Sequence, residues 1–585
     1  MGTRNSVAGC DCNFPFGVRA LPPLDLQAQA TGLGPLFTPW RFDTALLVAG
    51  LATMAGNGNG VRRGDEHLSA KRYGECQAGC VERSHPVGSA LVFFSRRVSQ
   101  SILICLLLAM IGCAPHTRGP GAAVPLPSLP ERPNIVFVLT DDLSTDLLQY
   151  MPNVRELQQA GRSFTGYFVT DSFCCPSRSS IFTGQFPHDT GVYTNSGPNG
   201  GFNKFTKNGK DRQTFATALH ANGYRTAMMG KYLNGYDGKN TYVPPGWDQW
   251  DVVGTGGYGG FHYTLNENGN LSTSGRAPSD YLTDVLSTKG NAFIERSAAE
   301  RTPFLLEVAS FAPHVPATPA PRDAHRFLSA KAPRSPAFNE GDLSDKPRWL
   351  RSYRTLGHAQ LASIDAQYVR RVQSVQAVDR MVGRLRATLQ QRGLSRNTYF
   401  VFSSDNGYHM GEHRLMPGKT TAFDTDVRVP LIVAGPSVPA GSSDAALAEN
   451  TDLAPTFEDL TGTPVPASVD GTSLVRRLLG ERDPNAPGAI LIEHHGPSLA
   501  KDDPDRPGPA SGNPPTYTAI RTANELYVEY ADGEREFYDL RADPYELTNA
   551  VSTVPQARLA RLQQMLRSLR TCHGTPACST AARID

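Results

Sequence analysis

Four sets of polar residues in this 585-residue sequence have the types and spacing that chemistry requires. Asp141 and Asp142 are adjacent carboxylates directly after the apolar run Ile135–Leu139. Turn formation or helix capping accounts for one such Asp but rarely demands two. Asp405 and Asn406 close a second apolar run and precede Gly407, where an Asx-turn is the plainer reading. Together the two pairs make a set of hard oxygen ligands of the kind Ca²⁺ prefers, and adjacent carboxylates need a cation to offset their repulsion. The third set is Cys174-Cys175-Pro176-Ser177-Arg178, continued by Ser179-Ser180-Ile181-Phe182-Thr183-Gly184 as a helix with the cysteine at its positive end. A thiol there is either a buried core group or one whose pKa the helix terminus lowers, a place that equally suits an anion. The fourth set is basic: Lys231 after the run Thr226–Met229, His314, and Lys419. Lysines are ordinarily solvated, and these gain meaning only if the fold makes them converge.

The elements that would position them are also legible. Ile135–Leu139 runs into Thr140-Asp141-Asp142, Phe304–Val308 into Ala312-Pro313-His314, and Tyr399–Phe402 into Ser404-Asp405-Asn406. Short apolar runs without alternation predict strands buried on both faces of a parallel or mixed sheet under helices. Val372, Val375, Val378, Val382, Leu385 and Leu389 recur at helical spacing, with Gly393 as a stop signal. Strands and helices in alternation, with polar groups at strand C-termini, predict an α/β fold with its site along that edge. After about residue 480 the texture changes. Tyr517–Arg521 and Leu526–Tyr530 alternate, Asp532-Gly533 marks a hairpin, Glu536–Leu540 gives a third strand, and Val554–Leu569 a final helix. That is a small antiparallel sheet with a helix.

The balance of 57 Lys and Arg against 55 Asp and Glu leaves a net charge of +2, which gives no basic face for nucleic acid. The ten cysteines are not a disulfide framework. Cys10, Cys12, Cys76, Cys80, Cys105 and Cys113 precede the globular part, and none lies between Cys175 and Cys572. Only Cys572 and Cys578 read as a bridge, which implies an oxidising compartment. Ser101–Gly112 is an apolar run of about a dozen residues, too short to span a membrane. Arg96 and Arg97 precede it and small residues follow, the layout of a secretory signal. Met110-Ile111-Gly112-Cys113 resembles a bacterial lipobox, which would make a lipidated Cys113 the new N-terminus; ordinary cleavage near Ala114 is the other reading. A signal belongs at the start of a chain, so residues 1–90 read as a mis-assigned extension. The expected organisation is therefore a signal over 91–113, a Pro-rich linker over 114–132, a catalytic domain over 133–480 and a C-terminal subdomain over 481–585.

Cys174-x-Pro176-Ser177-Arg178 with its Thr183-Gly184 tail resembles the sulfatase signature, whose first Cys is oxidised to formylglycine before folding. The resemblance continues in order through Asn134, Asp141-Asp142, Gly230-Lys231, Ala312-Pro313-His314, Asp405-Asn406-Gly407 and Gly418-Lys419. It extends to Asp452-Leu453-Ala454-Pro455-Thr456 and Tyr538-Asp539-Leu540 with Asp543-Pro544 and Glu546, so it covers Pro133 to Asn549. It implies an alkaline-phosphatase-like mixed sheet flanked by helices, with a smaller C-terminal antiparallel sheet plus helix. It also implies that Asp141, Asp142, Asp405 and Asn406 hold Ca²⁺ with an oxygen of the modified Cys174. Arg178 would fix the formylglycine hydrate, and Lys231, His314 and Lys419 would face the sulfate and the leaving group. Cys175 stands at a variable position and reads as a buried bystander. Many sulfatases place a His two residues after the Lys, where this chain has Leu233 and then Asn234. A branch similar to N-acetylglucosamine-6-sulfatases shares both the paired Cys and the Gly-Lys-Tyr-Leu-Asn run, which leans towards a sugar 6-O-sulfate. His409 and His413 are open between loop packing and the site, and His494-His495 could line a substrate pocket.

On this resemblance one hydroxyl of the aldehyde hydrate, made acidic by Ca²⁺, attacks sulfur and expels the alcohol, with His314 as its acid; the second hydroxyl then releases sulfate. The implied partners are a sulfated small molecule or glycan and a formylglycine-generating enzyme, and the implied place is secreted or in the cell envelope. Two rivals stay open: a phosphonate monoester or phosphodiester hydrolase with the same centre, and a surface lipoprotein that binds sulfated glycans without cleaving them.

Overall fold

The first apolar run is β-branched, aromatic and wholly buried, and it forms the central strand β1, Asn134–Thr140. The computed structural model describes residues 129–583 apart from 240, 498–502 and 504. Arg225–Gly230 (β2), Phe304–Ala309 (β3) and Thr398–Ser404 (β4) run parallel to β1 in the order β4-β1-β3-β2. Among the described residues the sheet has ten strands and is mixed. Leu431–Ala434 pairs antiparallel with β4 on one side, and Thr264–Glu267 with Asn270–Thr273 makes an antiparallel edge on the other. Alternate side chains of β1 enter different apolar layers. Ile135, Phe137 and Leu139 pack with Ile181, Phe182 and Phe457, while Val136 and Val138 pack with Leu286, Val372, Val375 and Leu385. One layer takes the helix α1, Cys174–Thr183, and the other takes α2, Leu282–Glu300, and α3, His358–Gln391. A sheet covered on both faces is what the unalternating runs required.

Ala489–His494, Tyr517–Thr522, Glu525–Tyr530 and Arg535–Asp539 form a second, four-stranded antiparallel sheet. Leu559, Leu562, Leu566 and Leu569 of the helix Gln556–Leu569 cover one face of it, against Leu491, Ile520, Tyr527 and Phe537. Its other face, with Ile490, Ile492, Ala519 and Val528, belongs to the main core. The fold class is therefore the one expected. Two parts exceed the expectation: α3 begins at His358, well before Val372, and the edge strand Asn270–Thr273 is exposed at every residue. The edge strand carries no buried residue to announce it, whereas Leu361, Ile364 and Tyr368 extend the apolar stripe of α3 N-terminally at the same helical spacing.

Cys572 and Cys578 are joined, six residues apart. A loop this short stabilises by about 2 kcal/mol through the unfolded chain. Reduction, or Cys572→Ser with Cys578→Ser, should lower the chemical-denaturation stability by that amount without changing turnover. The extension 1–90, the signal 91–113 with Cys113, and the linker up to residue 128 lie outside the described residues. No described helix is long and apolar enough to cross a membrane.

Candidate active site

Parallel register brings the polar groups level. Leu139 pairs with Ala309, Thr140 with Ser404, and Gly230 with Ala309, so the residues after β1, β2, β3 and β4 emerge along one edge. Gly230 is required there: its φ is +99°, and a Cβ would stand 1.9 Å from the Ala309 carbonyl oxygen. That close approach lets the Lys231 N–H donate to Ala309 at 2.9 Å, which turns the lysine over the strand ends. Asp142 has φ +63°, a left-handed conformation that Asp tolerates, and this sets it beside Asp141. Cys174 opens α1 after an extended Phe173, and the next N–H, of Cys175, is held by Asn195 Oδ1 at 2.8 Å.

The four sets meet around Cys174. Its Sγ lies 3.3 Å from Asp141 Oδ1, 3.7 Å from Asn406 Oδ1, 3.1 Å from Lys231 Nζ and 3.0 Å from Lys419 Nζ. Lys231 Nζ donates to Asp141 Oδ2 at 2.6 Å and Lys419 Nζ to Asp142 Oδ1 at 2.7 Å. Arg178 Nε donates to Asp405 Oδ2 at 2.8 Å and its Nη1 to the Lys231 carbonyl at 3.0 Å. His314 Nδ1–H donates to Val315 O at 2.6 Å, and its Nε2 contacts Asp505 and lies 3.7 Å from Asp142 Oδ2. The lysines are buried, not solvated. A cavity of 230 Å³ opens beside the cluster, lined by Asp142, His314, Tyr408, Lys419, Asp505 and Ser511.

Burial opposes charge on Lys231 and Lys419, but Asp141 and Asp142 hold the two amines well above the ordinary lysine value. His314 is likewise pushed up, by Asp142 foremost against its burial, which favours the protonated ring. Of the two readings of the thiol, the structure gives the buried one. Burial, then Asp141 and Asp505, push Cys174 well above its ordinary value, against the pull of the lysines. Desolvation of a fully enclosed sulfur disfavours its thiolate.

The donors also fit a divalent cation. Asp141, Asp142, Asp405 and Cys174 each offer an atom within 4.8 Å of the others, all buried. Asp142 Oδ2 is enclosed without a hydrogen-bond partner. Three carboxylates and the Asn406 amide oxygen are a hard-oxygen set of the kind that suits Ca²⁺.

Other histidines stay outside. His409 is tied to Asp426 at 2.9 Å, and His413 bonds Glu340 at 2.7 Å and stacks on Phe423. His494 faces Asp171 at 3.4 Å, His495 stacks on Tyr193, and Leu233 joins the core. Cys175 is buried and accepts the Asn234 N–H at 3.0 Å. Three further residues of the site carry no motif in the sequence reading. Asp505 enters from beyond the catalytic strands, Tyr258 packs on His314, and Arg371 donates to Ser144 Oγ at 3.2 Å and stacks on Tyr408. Arg371 had a signal, a charge beside Val372 and Val375 on the apolar stripe of α3; Asp505 follows no apolar run and had none.

The chain belongs to the sulfatase family, whose model, described as Sulfatase, matches residues 133–463. It is 32% identical over 486 residues to the human N-acetylglucosamine-6-sulfatase, covering 78% of this chain and 87% of that protein. It is 36% identical over 376 residues to the Drosophila melanogaster extracellular sulfatase SULF-1 homolog, covering 62% of this chain but only 33% of that relative, so it spans a third of its length. Among solved structures, a protein in complex with its substrate D-glucosamine-2-N,6-O-disulfate superposes with a TM-score of 0.61 at 26% identity, over 75% of this chain and 97% of that one.

Proposed function

We propose that this chain is a sulfuric ester hydrolase acting on a sulfated sugar, with Cys174 carried as formylglycine and Ca²⁺ held by Asp141, Asp142, Asp405 and Asn406. The observation that carries this reading is the convergence, on one buried cysteine, of a hard-oxygen cluster and two lysines, Lys231 from the end of β2 and Lys419 from the loop beyond β4. Bound Ca²⁺ and the formylglycine hydrate would supply the Lewis acid and the oxygen nucleophile that the protonated thiol does not. Lys231 and Lys419 are placed to hold negative oxygens of the ester as charge develops, in largely buried surroundings. His314 keeps its Nδ1 on the Val315 carbonyl, so Nε2 is the atom that delivers a proton to the leaving oxygen. Arg178 balances Asp405 and braces the Lys231 backbone, which fixes α1 against the strand ends.

The substrate we assign is a glucosamine-type 6-O-sulfate, supported by the human relative and by the Gly230–Asn234 run. We assign 133–480 to the catalytic body and 481–585 to a subdomain that lends it Asp505. We also read the chain as secreted through its 91–113 segment, with lipidation at Cys113 and modification of Cys174 by a formylglycine-generating enzyme; the extracellular Drosophila relative supports export. N-terminal sequencing and the mass of the first peptide check the export step.

The test is a rate panel on the full chain with Ca²⁺: glucosamine 6-O-sulfate, other sugar sulfates, an aryl sulfate and an aryl phosphonate. We expect the glucosamine 6-O-sulfate to show the highest kcat/KM. A phosphonate turned over faster than every sulfate would point to phosphonate hydrolysis instead, and binding of sulfated glycan without turnover to the lipoprotein reading.

A further inference from the structure

Cys174 is wholly buried, and the 230 Å³ cavity beside it is lined by Asp142, His314, Lys419 and Asp505 without reaching the sulfur. Asp505 comes from a segment outside the residues matched by the family model. Its side chain is fully enclosed. One carboxylate oxygen contacts His314 Nε2 and lies 2.9 Å from Lys419 Nζ. The other accepts from Asn195 Nδ2 at 2.6 Å and Asn234 Nδ2 at 3.1 Å. The backbone N–H of Asp505 donates to Asp503 Oδ1 at 2.9 Å, which fixes the approach of the segment. The carboxylate is thus bound as an anion would be, by the Lys419 amine, the His314 ring and two side-chain amides.

Lys419 and His314 are the groups the proposed function reserves for the ester. His314 Nε2 is to meet the leaving oxygen and Lys419 the sulfate oxygens, yet both are taken up by an internal carboxylate. A carboxylate and a sulfate monoester each carry one negative charge, so the exchange of one for the other keeps the buried charge constant. Both together would place two anions on the same cations, in surroundings where like charges repel far more than in water. Asn195 and Asn234 give Asp505 a seat of its own.

We propose that Asp505 is an internal anion that holds the sulfate seat of the resting chain: the ester enters by displacing it, and free sulfate leaves as it returns. Asp505 then sets the affinity of the site for sulfate, and this assignment rests on the sulfatase reading. It explains how a site with so many fixed cations releases an anionic product. It also gives Asn234 a defined part in the site.

The experiment is calorimetric titration of inorganic sulfate into the full, Ca²⁺-loaded chain, wild type against Asp505→Asn, which keeps the shape and removes the charge. Asp505→Asn should bind sulfate about tenfold tighter or better, a gain of one decade in Kd. Sulfate should inhibit its turnover correspondingly more strongly, and its KM should fall. Asp505→Glu, which keeps the charge, should stay near wild type. Asp505→Ala should follow Asp505→Asn, and guards against a folding defect peculiar to the amide. Unchanged or weaker sulfate binding in both neutral variants overturns the proposal. So does a raised KM with sulfate affinity unchanged, which makes Asp505 a sugar contact. Sulfate binding is read without turnover, so a wild-type chain that binds sulfate as expected but cleaves no sulfate ester contradicts the function and leaves the internal anion standing.

Discussion

Cys174→Ala should remove sulfate-ester turnover by about 10⁴-fold or more while the protein stays folded. The sulfur sits at the one point that Asp141, Asn406, Lys231 and Lys419 all approach within 3.7 Å. No other described nucleophile shares that position, so there is no substitute for it. Cys174→Ser separates two ideas. A serine hydroxyl keeps the size and hydrogen bonding but is not oxidised to formylglycine by the route from Cys, so it should be as inactive as alanine. The neighbour supplies the contrast. Cys175 is turned away to the Asn234 backbone, and Cys175→Ala should cost less than about tenfold, since a small cavity is its main effect. Steady-state kinetics on an aryl sulfate measure both, and equal losses in the two variants would reject the assignment of Cys174.

The second large effect is on stability. Arg178 is completely buried, paired with Asp405 at 2.8 Å and tied to the Lys231 carbonyl at 3.0 Å. Arg178→Ala leaves Asp405 as an uncompensated carboxylate beside Asp141 and Asp142, and breaking a buried pair in this way costs about 3–5 kcal/mol. Activity should fall with it, because the brace between α1 and the Lys231 turn is lost. Arg178→Lys should rescue little: an ammonium is a single point of charge and does not bridge Asp405 and the Lys231 carbonyl as the planar guanidinium does. Added Ca²⁺ should restore part of the lost stability, since a cation at the carboxylate cluster offsets the same repulsion. Urea unfolding with and without chelator measures this. A variant as stable as wild type in chelator would show that Arg178 does not neutralise the cluster.

Much of this site was legible because of how its residues are anchored. Asp141, Lys231, His314 and Asp405 follow buried strands whose apolar runs announce both the strand and its end, and parallel pairing does the rest. The paired Asp141-Asp142 was readable as a ligand because a single turn does not need two carboxylates. The rest is set by tertiary packing. Asp505 follows no apolar run and is defined only by where its segment lands, on His314 and Lys419. The ionisation of Cys174 stayed open in the sequence for a related reason: the helix terminus is a local feature, while the enclosure of the sulfur and the proximity of Asp505 are not. His409 and His413 were ambiguous because a histidine near a metal pair in sequence has the same spacing whether it turns in or, as here, bonds Asp426 and Glu340.

The most direct measurement couples the state of residue 174 to the reaction. Preparations of the full chain made with graded co-expression of a formylglycine-generating enzyme would be assayed on glucosamine 6-O-sulfate, and the modified fraction of the Cys174 peptide read by mass spectrometry. We expect the rate to rise in proportion to the formylglycine fraction, to vanish at zero, and to be lost on calcium chelation. A rate independent of that fraction, or full activity from a chain whose residue 174 is entirely thiol, would contradict the assignment of an oxidised Cys174 as the nucleophile.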